Sequence, residues 1–207
     1  MNSSSSTLQT FKIVFLGDCA VGKTCIVLRF AKDSFQENYV LTIGLNYEVK
    51  KMTLSNNETI KVQIWDTSGE EKYKSLSKNY YREADGILVV YDITKDNTFQ
   101  GVKKWMEQIK ENIDTNKIVL SIVGNKSDLE PLRVIKKEDG ENLAKEYGIS
   151  FFETSAKENS NIDNIFQFMA EEMYKKRQNN KGGTKDKKGV SLDKKEKKTL
   201  KQRCCKK

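Results

Sequence analysis

"FKIVFLGDCAVGKT" (11–24) runs a short apolar stretch into a loop of small residues and then into a helical pattern, and that junction decides the fold. The loop fits G-x-x-x-x-G-K-[ST] between a strand and a helix, the context the motif requires. Backbone N–H groups of Gly17, Asp18, Cys19, Ala20, Val21 and Gly22, with the first helical turn through Cys25, can surround a phosphate chain. Lys23 supplies a point charge to the outer phosphates, and the Thr24 hydroxyl can ligate Mg2+. A thiol at Cys19, close to a helix N-terminus, could be activated. A neighbouring polyphosphate opposes a thiolate, so Cys19 reads instead as a small side chain in a loop that works through its backbone.

Outward from this junction, apolar run length and punctuation predict strands at 11–17, 45–54, 58–65, 86–92, 117–124 and 150–154. Helical spacing recurs at 22–31, 70–81, 98–113, 136–147 and 161–177. "SNN" (55–57) is a hairpin turn; elsewhere strands and helices alternate. That order predicts an α/β fold with a six-stranded, mainly parallel sheet, one antiparallel hairpin strand and helices on both faces. Ligands then bind beyond the carboxyl ends of the strands. Residues 8–177 are expected to form one domain, with 1–7 a disordered start and 178–207 a disordered tail of Lys, Gly, Asn and Ser with almost nothing to bury.

Composition narrows the chemistry. A chain of 207 residues, 37% hydrophobic, suffices for one core. No apolar run reaches about 18 residues, and "MNSSSSTLQT" (1–10) has neither a secretory signal nor Gly at position 2 for myristoylation. The chain is expected in the cytosol, with any membrane link coming from elsewhere. Histidine is absent, and the four cysteines (19, 25, 204, 205) have no metal-ligand spacing, so the usual zinc sites lack ligands. Ser-His and Cys-His nucleophiles are excluded too. Catalysis must rest on positioning, metal and carboxylates.

The net charge of +8 comes from the tail: 178–207 hold 12 Lys or Arg against 3 Asp or Glu, leaving 25 against 26 elsewhere. A nucleic-acid tail would interleave aromatics for stacking bases, and this one has none. No nucleic-acid partner is expected.

"GNKSD" (124–128) ends the fifth strand, on the same edge as the phosphate loop. The Asp128 carboxylate can accept from guanine N1–H and its exocyclic amine, a donor pair that adenine lacks. Asn125 can brace the loop, and Lys126 can lay its stem along the base. "TSAK" (154–157) follows the last strand and can bring the Ala156 N–H to the guanine carbonyl, with Ser155 and Lys157 holding the loop. A P-loop kinase or other ATP-using transferase is disfavoured by "NKSD" and by the lack of an evident second-substrate domain.

The ordered set "GDCAVGKT", "TIG", "WDTSGE", "NKSD" and "TSAK", spread over about 8–177, resembles a small GTPase of the Ras superfamily. "YYREADG" (80–86), "FFETSAK" (151–157) and the paired C-terminal cysteines resemble the Rab branch within it. The resemblance implies a Ras-like P-loop GTPase fold and a GTP/GDP-controlled switch that recruits effectors in intracellular vesicle traffic. It implies that Phe35 stacks on the guanine opposite Lys126, that Thr42 completes Mg2+ ligation, and that Asp66 holds the metal through water. Gly69 would offer its N–H to the γ-phosphate, so the segments around Thr42 and Gly69 would order with GTP and relax after hydrolysis. Effectors would read that change through Ile43, Gly44 and an aromatic trio matching Tyr47, Trp65 and Tyr80. As plain residues, the trio is equally a set of large side chains on a sheet face.

Glu70 stands where the family usually has the Gln that orients attacking water. An ionised Glu only accepts hydrogen bonds, whereas Gln also donates. Its charge beside the γ-phosphate can slow hydrolysis or push the side chain outward, or a raised pKa can restore a donor. Glu71, by contrast, favours the dipole of a helix start. Ser68 and Glu83 also replace the usual Ala and Gly. Two readings follow: a GTPase, slow alone and stimulated by partners, or a GTP-binding scaffold with little intrinsic hydrolysis.

"KQRCCKK" (201–207) does not fit C-a-a-X, because no aliphatic residues follow Cys204. The resemblance implies a Rab-type C-C-x-x ending, with geranylgeranyl groups on Cys204 and Cys205. Two lipids with basic neighbours anchor stably to an anionic leaflet. Partners implied are an exchange factor, a GTPase-activating protein, a prenylation escort, a GDP-dissociation inhibitor and effectors. The expected place is the cytosol and the cytosolic face of an intracellular or plasma membrane.

Overall fold

Six strands carry the architecture: β1 (Thr10–Leu16), β2 (Leu45–Thr53), β3 (Thr59–Thr67), β4 (Gly86–Asp92), β5 (Val119–Asn125) and β6 (Ser150–Thr154). The computed structural model describes residues 8–35, 45–67 and 83–182. The strands form one sheet in the order β2-β3-β1-β4-β5-β6. β2 runs antiparallel to β3, and every other neighbouring pair is parallel. The expected turn after β2 closes where Leu54 N donates to the Glu58 carbonyl at 2.8 Å. Asn57 takes φ 64° there, a left-handed value that Asn tolerates.

Four helices are described: α1 (Lys23–Lys32), α2 (Asp96–Asn112), α3 (Lys137–Tyr147) and α4 (Ile162–Gly182). The helix expected over 70–81 lies outside the described residues. Alternation along β1 assigns the helices to faces. Phe11, Ile13 and Phe15 point into a core with Ile26, Phe30 and Phe166 of α1 and α4. Val14 and Leu16 point into a second core with Val102, Trp105 and Leu143 of α2 and α3. Phe30 and Phe166 stack with centroids 3.6 Å apart, joining α1 to α4.

Among the boundaries that differ from the sequence reading, three have a clear physical reason. β3 continues to Thr67, whose hydroxyl donates to the Phe15 carbonyl at 2.9 Å, so Asp66 sits inside a strand. α2 starts at Asp96, two residues early, because the Thr98 N–H and hydroxyl both reach the Lys95 carbonyl and Asp96 favours the helix dipole. α4 runs five residues beyond 177 to Gly182, with no breaker before the Gly pair and with anchors from Lys176 to the Ile118 carbonyl (2.6 Å) and from Arg177 to the Thr10 carbonyl (2.9 Å). Because β1, β3, β4, β5 and β6 are parallel, their carboxyl ends share one edge, where the predicted loops gather.

Candidate functional site

The loop after β1 is shaped by its glycines. Gly17 has φ 134°, and a Cβ there would collide with the Val90 carbonyl of β4. Gly22 has φ 96° as the N-cap of α1, and a Cβ there would strike the Asn125 amide. Only glycine lets the loop lie this close to both strands. Lys23 is buried, and its Nζ donates to the carbonyls of Gly17 and Asp18, each at 2.8 Å. Burial lowers its pKa to about 8, against the opposing pull of Asp66, Cys19 and Asp18. Burial raises the Cys25 thiol, which suits a role through its backbone.

Thr24 Oγ1 donates to Asp66 Oδ2 at 2.6 Å, and Asp66 is buried. This brings together the hydroxyl and the carboxylate expected to hold Mg2+. Both are hard oxygen donors, and Mg2+ is usually held by few protein groups with water and phosphate completing its shell. The donor set fits that ion.

The base-side loops are tied to the phosphate loop and to each other. Asn125 is buried; its Nδ2 donates to the Val21 carbonyl at 2.8 Å and its Oδ1 accepts from the Thr154 hydroxyl at 3.2 Å. Ser155 Oγ donates to Asp128 Oδ1 at 2.6 Å and accepts from Glu158 N at 2.9 Å. A carboxylate has about four acceptor positions, so Asp128 retains capacity for a base edge. Ala156 is buried in the first core, and Phe35 packs half-buried against it.

Several supporting residues escaped the sequence reading. Asp92 is one: its Oδ2 lies 2.6 Å from the Nζ of the expected base-side residue Lys126, which takes φ 70°. Burial would raise the Asp92 carboxyl, but hydrogen bonds from Lys126 and Thr94 outweigh it and hold the pKa below the ordinary carboxylate value. Arg29 reaches the carbonyls of Ala156 and Lys157. Trp105 Nε1 donates to Asp18 Oδ1 at 2.9 Å, securing the phosphate loop to α2. Arg133 bridges Glu130 and Glu153. A charged residue one apolar repeat into a helix, or an acid ending an apolar strand, was the available signal, but neither names its partner.

Thr42, Ile43, Gly44, Ser68, Gly69, Glu70, Tyr80, Cys204 and Cys205 lie outside the described residues. Of the aromatic trio, Tyr47 and Trp65 stack across β2 and β3 with centroids 5.2 Å apart, and Tyr47 is 57% exposed. Lys12 Nζ sits 4.2 Å from the Trp65 ring centroid. Burial lowers the Lys12 pKa, with Glu83 and Asp85 opposing it.

A profile of the Ras family matches residues 12–175. The chain is 41% identical over 177 residues to Ras-related protein Rab-13 from Canis lupus familiaris, covering 86% of each chain. It is 42% identical over 166 residues to the protein of that name from Bos taurus, covering 80% of this chain and 81% of the relative. The Mesocricetus auratus protein is 41% identical over 177 residues, again 86% of each. A P-loop followed by "NKSD" and "TSAK" on one sheet edge, matched along most of its length by Rab relatives, places the chain in the Ras family as a Rab-type small GTPase that hydrolyses GTP to GDP.

Proposed function

We propose that the edge loops divide the work of this vesicle-traffic GTPase among named residues. The 17–22 loop and Lys23 hold the phosphates. Thr24 and Thr42 would hold Mg2+ directly and Asp66 through water; the bound ion neutralises developing phosphate charge. Asp128 and the Ala156 N–H read the guanine, with Phe35 and Lys126 on its two faces. Thr42 and Gly69 answer to the γ-phosphate, and the surface of Ile43, Gly44, Tyr47, Trp65 and Tyr80 passes that state to effectors. Exchange factors and activating proteins drive the cycle. An escort protein and a GDP-dissociation inhibitor handle a tail geranylgeranylated on Cys204 and Cys205, which holds the switch on the cytosolic face of a membrane.

The observation that carries this reading is the Asn125 side chain, bonded to the phosphate loop at Val21 and to Thr154 before "SAK". One side chain sets the separation between phosphate and base loops, as a single nucleotide spanning both requires.

The test is competition against labelled GDP. A buried acceptor left unpaired is costly, so a site built on hydrogen bonds should favour GTP over ATP by about 10⁴ or more. Asp128→Asn exchanges an acceptor for a donor and should transfer preference from guanine toward xanthine nucleotides, whose 2-oxo group accepts. ATP competing as well as GTP would overturn the assignment.

A further inference from the structure

We propose that Arg29 is a positioning residue for guanine recognition, holding the backbone that presents the Ala156 N–H to the base. The inference rests on the assignment of that N–H to the guanine carbonyl oxygen made above. Arg29 lies on α1, the helix that begins with Lys23. Its Nε donates to the Ala156 carbonyl at 2.9 Å, and Nη2 donates to the Lys157 carbonyl at 3.2 Å. Nη1 donates at 3.2 Å to both the carbonyl and the carboxylate of Asp33, the residue that ends the helix. The guanidinium carbon also lies 5.9 Å from the centroid of the Phe35 ring.

These contacts fix one short piece of chain from two sides. Before the Ala156 N–H, Ser155 exchanges backbone hydrogen bonds with Ser160, at 3.2 and 2.9 Å. After it, the next two carbonyls are held by one planar guanidinium. Arg suits this task because its donors have a fixed fork geometry, which a Lys ammonium lacks. The side chain is only 15% exposed and Ala156 is buried, so water competes weakly for the Ala156 carbonyl, while the Lys157 contact lies at the surface. Arg29 therefore connects three parts of the site: the helix that carries Lys23, the Phe35 ring and the base loop. A side chain that only packed the fold would affect all nucleotides alike. One that orients the Ala156 N–H affects the nucleotide's 6-position selectively.

The experiment uses the full chain with Mg2+ and competition against labelled GDP. The competitors are GDP, inosine diphosphate, which lacks the exocyclic amine, and 6-thioguanosine diphosphate, in which sulfur replaces the carbonyl oxygen. The native chain should favour GDP over the thio analogue by about tenfold, the worth of one hydrogen bond to a preset donor. Arg29→Ala should weaken GDP by about tenfold and bring the GDP-to-thio ratio close to one. The GDP-to-inosine ratio, which reports Asp128, should stay at its native value. Arg29→Lys keeps charge and helix propensity but cannot span both carbonyls, so it should show the same pattern in smaller measure and serves if the Ala variant does not fold. An equal loss for all three nucleotides, with both ratios unchanged, would make Arg29 a fold residue only and overturn the proposal. Equal native affinity for GDP and its thio analogue would remove the base-facing role of Ala156, and this inference with it.

Discussion

Lys23 carries its charge where water reaches it poorly, and the consequence is a testable pH dependence. Burial brings its pKa down to about 8 from 10.5, so the unfolded chain binds more protons than the folded one between those values. Its contribution to stability therefore rises with pH through that window, and its cost is fully present below it. Phosphate beside the ammonium would push the pKa back up, so binding above pH 8 should take up a proton. Calorimetry at about pH 8.5 in buffers of differing ionisation heat should register that uptake with GDP. Lys23→Arg stays charged and should remove it; uptake that persists in the variant would place the titrating group elsewhere. The sequence made Lys23 legible because its motif is contiguous. Arg29 was not legible, because the carbonyl it holds is 127 residues away and carries no side-chain signature. Asp92 looked like the end of an apolar run and gave no sign of its pairing with Lys126.

The 3-10 segment Ser127–Leu132 carries Asp128 and is tied to β6 through Arg133, beside the hydrogen bond from Ser155 to Asp128 at the end of that strand. Arg133 donates to Glu130 at 2.7 Å and to Glu153 at 2.6 Å, and its own side chain and that of Glu153 are 16% and 12% exposed. Hydrogen bonds to Glu153 and then Glu130 raise the Arg133 pKa, so it stays charged throughout. Arg133→Ala strands Glu153 largely out of water and should cost about 2 kcal/mol in urea unfolding at fixed GDP. Lys175→Ala, at the exposed pair with Glu172, should cost no more than about 0.5 kcal/mol. GDP release should quicken several-fold in the first variant and not in the second; equal effects would contradict that role of Arg133. Elements were well read where one physical signal dominated, as in the all-buried strand "GILVVYD" and the Asn-rich turn before β3. The extra residues of α4 escaped because they carry no apolar repeat, and the contacts that hold the helix just before them, from Lys176 to the Ile118 carbonyl and from Arg177 to the Thr10 carbonyl, join residues far apart in the chain.

Across the whole molecule, charge and function are segregated. The nearly neutral nucleotide-binding part adjoins a basic C-terminus, and no helix among the described residues is long and apolar enough to cross a membrane. In the proposed function, lipid on Cys204 and Cys205 attaches the chain to a membrane, and loops at one sheet edge distinguish GTP from GDP. What joins them into a cycle is hydrolysis, and the residue where the family's Gln would stand is Glu70. The fold and the base and phosphate loops do not depend on that position; turnover does. Single-turnover GTP hydrolysis at saturating Mg2+, for the native chain beside Glu70→Gln, addresses it directly. The native chain should convert its bound GTP to GDP and phosphate, slowly but to completion. GTP that stays intact on the native chain while Glu70→Gln consumes it would contradict a cycling switch and leave a GTP-binding scaffold.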